Sequence, residues 1–263
     1  MASSKILKII GRLSAPVFQH FNSVYLVFYS FYKQLTDALN LSIIKEYVQP
    51  GQAVVDVGAH IGYYSRVLAD SVGPGGKVYA FEPEARNFGF LKKNTKKYPW
   101  VDSYNQAVGA ASGSLNLFLS ETLNVDHHTY ASSNESRRAV TIEAVSLDDF
   151  FSKEAKKISF IKMDIQGYEE AAVRGMIKVL QTHRPVVLTE LWPWGLQQAG
   201  SSAARLLSHF DKCDYELYLI NEHQNKLEKF QVDRLPGLED DYYDLLCLPR
   251  ERTQNLSINQ NRV

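Results

Sequence analysis

The 263-residue chain balances 29 Lys+Arg against 29 Asp+Glu and is 45% hydrophobic and 22% charged, the make-up of a folded globular protein. Zero formal charge leaves no bulk electrostatic footprint, which argues against a general binder of nucleic acid or anionic membrane while still allowing a local basic patch. Cys213 and Cys247 are too few for a disulfide scaffold and have no metal-binding spacing, so a reducing, cytoplasmic compartment is expected.

Residues 1–48 read as a helical extension that ends at the turn signal Gln49-Pro50-Gly51. Its most apolar stretch is Val24–Tyr32. Extended back to Ala15 it contains Gln19, His20 and Asn22, short of the roughly 18 continuous apolar residues of a membrane span. The basic start Lys5–Lys8 is followed by mixed sequence without a small-residue cleavage site, so no signal peptide is expected. A packed amphipathic helix is the expectation here. The aromatics of residues 15–32 also suit a peripheral membrane contact or a homodimer contact.

After Gly51 short apolar runs alternate with amphipathic stretches. Ala53–Val57 predicts a buried strand and Tyr63–Asp70 a helix. Gly73-Pro74-Gly75-Gly76 breaks the chain before a strand at Lys77–Phe81. A helix at Glu84–Lys97 and a strand at Val101–Asn105 follow. Ser114–Leu119 and Ala139–Val145 read as a hairpin around the polar segment Ser120–Arg138. Then come a strand at Ile158–Met163, a helix at Glu169–Thr182, a strand at Pro185–Thr189 and a helix at Ser202–Phe210. Tyr215–Ile220 and Tyr243–Leu248 close the pattern as an antiparallel pair at one edge. This is an α/β chain with a doubly wound, mostly parallel sheet in one domain over residues 49–250, followed by a polar tail over 251–263.

Val54–Gly62 holds the most chemical information. A strand runs into a glycine turn and then a helix, which brings backbone N–H groups and a positive helix dipole to the crevice. The spacing is G-x-x-x-G, not the G-x-G-x-x-G that cradles a dinucleotide pyrophosphate. A cofactor with adenosine and a carboxylate but no pyrophosphate suits it better. Glu82, at the end of the second strand, is placed to accept two ribose hydroxyls and to repel a 2′-phosphate. Asp56 offers an acceptor to a cofactor ammonium. Loop bracing or N-capping is the alternative role for either acid.

The blocks VVDVGAHIGYYS, VYAFEPE and FIKMDIQGYEEAAVRG, in this order and spacing, resemble the FkbM family of S-adenosylmethionine-dependent methyltransferases over about residues 46–192. The resemblance implies a class I, Rossmann-like methyltransferase fold with a seven-stranded sheet whose last strand is antiparallel. It implies S-adenosyl-L-methionine as cofactor and O-methylation of a hydroxyl on a small-molecule or glycan acceptor: a sugar, glycoconjugate or natural product. By the same resemblance Asp56, Gly58, His60 and Gly62 line the methionine part and Glu82 the ribose, while Asn105 and Gln106, Ala107 and Val108 lie near the adenine. His60 stands where the family commonly has Asn, and Gln166 where it commonly has Glu.

Ligands of open α/β sheets bind beyond the carboxyl ends of the strands, so Asp164 and Glu190 should share the cofactor cleft. Transfer to a hydroxyl needs a base for its proton, and Asp164, with Glu190 sharing the role, is the first candidate. The same oxygens could instead hold Mg²⁺ or Ca²⁺. Asp164 as a helix cap and Glu169 as a partner of the helix dipole are the structural alternatives. His128, beside His127 and Asp126, is a further candidate base from its unperturbed pKa of about 6.5. Arg137 and Arg138 suit an anionic acceptor, or simply a solvated surface. Trp192, Pro193 and Trp194 either stack on a sugar face or seal the end of the sheet. A NAD-dependent oxidoreductase, a catalytically inactive cofactor-binding scaffold and an RNA methyltransferase are the competing readings. The glycine spacing, the intact acids and the neutral charge respectively count against them.

Overall fold

The computed structural model describes residues 32–33, 36–119, 138–153, 156–222, 224–230 and 242–255. In chain order its elements are α1 (Ala38–Tyr47), β1 (Ala53–Val57), α2 (Tyr63–Val72), β2 (Lys77–Phe81), α3 (Ala85–Thr95) and β3 (Val101–Tyr104). Then come β4 (Ala107–Val108), β5 (Gly113–Leu119), β6 (Arg138–Val145), α4 (Leu147–Phe150), β7 (Ile158–Met163), α5 (Glu169–Arg174) and α6 (Ile177–Thr182). The chain ends with β8 (Val186–Leu191), α7 (Pro193–Gln198), α8 (Ala203–Lys212), β9 (Tyr215–Asn221), β10 (Lys226–Lys229), β11 (Tyr243–Pro249) and a 3₁₀ turn at Arg250–Asn255.

The main sheet has the order β10-β9-β11-β8-β7-β1-β2-β3. Strands β1, β2, β3, β7 and β8 are parallel, as β-branched runs separated by helices require. All positions of β1 and β7 are buried, because helices cover both faces. Alternate residues feed two cores. Val55, Val57, Ile161, Met163 and Phe210 lie on one side; Val54, Phe160, Leu188, Leu246 and residues of α1 and α2 lie on the other.

The predicted closing pair is present but not at the edge. β11 inserts between β8 and β9, antiparallel to both, and the sheet has eight strands rather than seven. The eighth, β10, folds back on β9, with Lys226 opposite Asn221. The turn forms because the Asn221 side chain accepts the Gln224 N–H at 3.0 Å and Asn225 takes a left-handed φ of 47°. A four-residue strand bearing Lys226, Glu228 and Lys229 is short and charged, as an exposed edge needs to be.

The single helix expected over Glu169–Thr182 is split into α5 and α6 at Gly175. The Gly175 carbonyl accepts the Asp148 N–H at 2.9 Å, and a Cβ at Gly175 would lie 2.0 Å from the Gly109 carbonyl. This close backbone crossing interrupts the helix. The expected hairpin forms as β5 and β6, but in a separate three-stranded sheet with β4.

Helix α1 buries Leu39, Ile43 and Ile44 against the same core as α2. Its first N–H groups have no intrahelical acceptors, and the Glu222 carboxylate at the end of β9 supplies one, accepting from Leu39 at 3.0 Å and Asn40 at 3.1 Å. Glu222→Ala is therefore expected to lower stability by about 1–2 kcal/mol, measured by denaturant titration; an unchanged midpoint would show that this cap contributes nothing. The part of the apolar extension over residues 1–31 lies outside the described residues. Among those described, no helix is long and apolar enough to cross a membrane. The polar tail starts as the 3₁₀ turn, held by Glu251 against Arg184 at 2.6 Å; residues 256–263 are outside the description.

Candidate functional site

β1 ends at Val57 and the chain turns through Gly58, His60 and Gly62, all with positive φ, into α2. Both glycines are required sterically. A Cβ at Gly58 would stand 2.0 Å from the Asp164 carbonyl oxygen, and one at Gly62 would stand 2.9 Å from Leu91. The loop is stitched to the end of β2. The Gly58 and Ala59 N–H groups donate to the Phe81 carbonyl at 3.0 and 2.9 Å, His60 N–H to Glu82 at 2.8 Å, and Gly62 N–H to Ala59 at 2.8 Å. Four of the loop's N–H groups are thus engaged by the protein itself rather than aimed at the crevice.

Glu82 is almost fully buried, and its second oxygen accepts the Glu84 N–H at 2.9 Å. Burial pushes its pKa up to about 7 against the pull of those two N–H donors. Asn105 donates to the Glu82 and Pro83 carbonyls at 2.9 Å each and so pins the turn after β2. Ala107 lies buried on β4, opposite Ala144. Asp56 is fully buried, accepts from Ser65 Oγ at 2.6 Å through Oδ2, and has no partner for Oδ1 among the described residues. Burial raises its pKa as well.

The strand ends add a second group of acids. Asp56 is opposite Lys162, and Lys162 opposite Leu188. Two residues on, the same sheet face carries Asp164 and Glu190, with Asp244 of β11 opposite Glu190. Gln166, held at a φ of 54°, spans them: its Nε2 donates to Asp164 Oδ1 at 3.1 Å and Glu190 Oε2 at 3.3 Å. An amide can donate to both acids where another carboxylate would repel them, which is what this chain gains from Gln at that position. Lys162 approaches Asp164 to 3.4 Å and lies 4.8 Å from the Tyr64 ring centre.

These neighbours separate the carboxyls. Partial burial works against ionised Asp164, yet the Lys162 and Lys33 ammonium groups and the Gln166 amide hold it below the ordinary range. Glu190 is pushed well above that range, by burial first and then by Asp164, Glu169 and Asp244. Asp244, bonded to Asn40 Nδ2 at 2.8 Å, is raised by burial to about 6. The two carboxyls are thus driven in opposite directions, Asp164 toward its ionised form and Glu190 toward its protonated form, a division that suits one group to accept a proton and the other to donate a hydrogen bond.

Glu169 is fully buried and accepts the Ile165 and Gly167 N–H groups at 3.1 and 3.2 Å, so it braces the loop that carries Asp164. His127, His128, Asp126 and Arg137 lie outside the described residues, and Arg138 opens β6 at an exposed position. Among the described residues, no group of three or more His, Cys, Asp or Glu side chains is arranged to hold a metal ion.

Sequence reasoning missed Lys162, Asp244 and the part played by α1. Lys162 and Asp244 each interrupt an apolar strand at a buried or half-buried position, a signal that asks for a partner. From α1 and the turn before it, Asn40 reaches Asp244 and Asp37 accepts from Tyr64 at 2.6 Å, so the extension forms one wall of the site.

Residues 56–217 match a family described as "Methyltransferase FkbM domain". A curated relative, the hexuronic acid methyltransferase AglP of Haloferax volcanii, is 25% identical over 150 residues, 56% of this chain and 59% of the relative. A protein-L-isoaspartate O-methyltransferase of Aeropyrum pernix is 40% identical over 67 residues, 26% of each chain. The chain thus spans less than two thirds of either relative. Among solved structures, a methyltransferase FkbM from Methylobacillus flagellatus aligns with a TM-score of 0.46 at 19% identity, covering 74% of this chain and 43% of that one. An rRNA methylase from Streptococcus thermophilus aligns with a TM-score of 0.48 at 10% identity, covering 81% and 96%.

Proposed function

The chain belongs to the FkbM methyltransferase family, and from that premise we propose that it moves a methyl group from S-adenosyl-L-methionine to a hydroxyl of a sugar, glycoconjugate or natural-product acceptor. The observation that carries this reading is the joining of the glycine loop to Glu82 through the His60 N–H, directly beside Asp164, whose backbone touches Gly58.

The residues present fit such a cofactor. Asp56 has an unpartnered carboxyl oxygen in a buried position, suited to an ammonium. Glu82 retains lone pairs for two ribose hydroxyls. We assign the methionine part to Asp56 and the Gly58–Gly62 loop, and the adenine to the neighbourhood of Asn105 and Ala107. When bound, S-adenosylmethionine supplies an electrophilic methyl group on a sulfonium. The chain's own task is to place the acceptor oxygen and take its proton. Asp164 accepts that proton as the oxygen loses it, Glu190 in its protonated form orients the oxygen by donating to it, and Gln166 keeps the two acids in register.

Calorimetric titration tests the cofactor assignment: saturable binding of S-adenosylhomocysteine without binding of NAD is expected, and the reverse would overturn it. A pH arm sharpens the test. Glu82 would accept the ribose hydroxyls as a carboxylate, so binding should expel its proton. Affinity should weaken by up to about tenfold per pH unit below about 7 and level off above it. Titrations in buffers of different ionisation heat would show that proton leaving; affinity independent of pH from about 5 to 8 would refute this role of Glu82.

A further inference from the structure

Trp192 stands two residues beyond Glu190, and Tyr242 two residues before Asp244. Strands β8 and β11 pair with Glu190 opposite Asp244 and Leu191 opposite Tyr243. Side chains alternate with period two, so Trp192 and Tyr242 form the next rung on the face that carries the acids. The rings agree with this register: Trp192 and Tyr242 stack at 4.7 Å with 23° between planes, and Trp194 lies 5.0 Å from Trp192. Trp192 is buried, whereas Trp194 and Tyr242 are 40% and 55% exposed, the two exposed large hydrophobic side chains among the described residues.

The shelf is fixed to the candidate site by backbone. A Cβ at Gly195 would enter the Trp192 ring at 2.2 Å, and one at Gly167 would meet the Gly195 backbone at 2.5 Å. The start of α7 is thus wedged between the aromatic rings and the loop that carries Asp164 and Gln166. Two chemistries therefore adjoin on one face, flat exposed rings and a row of carboxyls.

We propose that this aromatic shelf holds the ring of an uncharged pyranose acceptor, with its hydroxyls read by Glu190, Asp244 and Asp164. The proposal rests on the methyl-transfer reading and narrows its acceptor. A pyranose has a face of C–H bonds that lies on aromatic rings and a rim of hydroxyls that donate to carboxyl oxygens. A peptide hydroxyl would use the carboxyls but leave the shelf empty. A uronic acid would bring a further carboxylate up against ionised Asp164, whose neighbouring ammonium groups, Lys162 and Lys33, are already engaged by the acids present.

Ligand-observed NMR on the full-length protein, with and without S-adenosylhomocysteine, tests this using methyl glucoside, galactoside and mannoside against the matching methyl hexuronides. Binding of at least one neutral hexoside, with no hexuronide binding as tightly, is expected. Trp194→Ala and Tyr242→Ala should each weaken that binding by about tenfold, and Tyr242→Phe should restore most of it. The calorimetric affinity for S-adenosylhomocysteine should stay unchanged in all three variants. Binding of neither panel, tighter binding of the hexuronides, or hexoside affinity indifferent to both alanine substitutions would each overturn the proposal. Failure of the wild-type protein to bind S-adenosylhomocysteine would sink the cofactor reading instead, and the titration without cofactor would still decide the shelf.

Discussion

Replacing Asp164 with Asn is expected to leave S-adenosylhomocysteine affinity within about threefold while lowering methyl transfer by about 10²–10⁴. The substitution keeps the size of the side chain and an oxygen for the Gln166 amide, which donates to Asp164 at 3.1 Å. It removes the charge that Lys162 and Lys33 hold in place and with it the proposed acceptor for the hydroxyl proton. The groups we assign to the cofactor are Asp56, the glycine loop and Glu82, none of which the change alters. Calorimetry on the variant, together with transfer of a labelled methyl group to a hydroxylated acceptor, separates the two effects. Lost binding would mean that Asp164 serves the cofactor; unimpaired turnover would pass the base to another group. Glu190→Gln is the informative companion. A carboxyl that burial and its acidic neighbours push toward its neutral form loses less on becoming an amide, so its turnover should fall less than that of Asp164→Asn.

Gly58→Ala should be the most damaging single methyl group in the domain. The added Cβ would sit 2.0 Å from the Asp164 carbonyl and 2.9 Å from Ile165, on a residue whose φ is 77°. Backbone strain and overpacking together cost about 3 kcal/mol, or roughly 6–12 °C in Tm for a domain of this size. Part of the relief can come only by moving β1 away from the end of β7, which would separate the glycine loop from Asp164. Cofactor binding should therefore fall with stability. Gly89→Ala is the control: Gly89 is exposed within α3, with no atom within 4 Å of an added Cβ. That change should stabilise the protein by about 0.5–1 kcal/mol. Equal melting temperatures for the two variants would contradict the close crossing of β1 and β7.

Much of this was local information and so was legible in the chain. The β-branched runs at Ala53–Val57 and Ile158–Met163 are buried strands at those boundaries, because burial on both faces calls for mainly apolar residues, with Asp56 and Lys162 as the buried polar exceptions. Gly58 and Gly62 mark a turn that only residues tolerating positive φ can make, and acids at strand ends mark the crevice of an open sheet. The three blocks around Asp56, Glu82 and Asp164 also identified the family, and Trp192 was singled out by its place just past a strand end.

What the tertiary structure decided is which residues face one another. Period two tells which face Asp244 or Tyr242 occupies but not which strand lies alongside. Their meeting with Glu190 and Trp192 followed only from the insertion of β11 between β8 and β9, which brings together residues fifty or more positions apart. The split of α5 from α6 came from a backbone crossing with Gly109 that no helix propensity encodes. The use of the loop's N–H groups by Phe81 and Glu82, and the opposite pKa displacements of Asp164 and Glu190, likewise arose from burial and neighbours. A sequence states what each residue can donate, accept or bury. Whether it does so depends on groups far along the chain that only folding brings within a few ångströms.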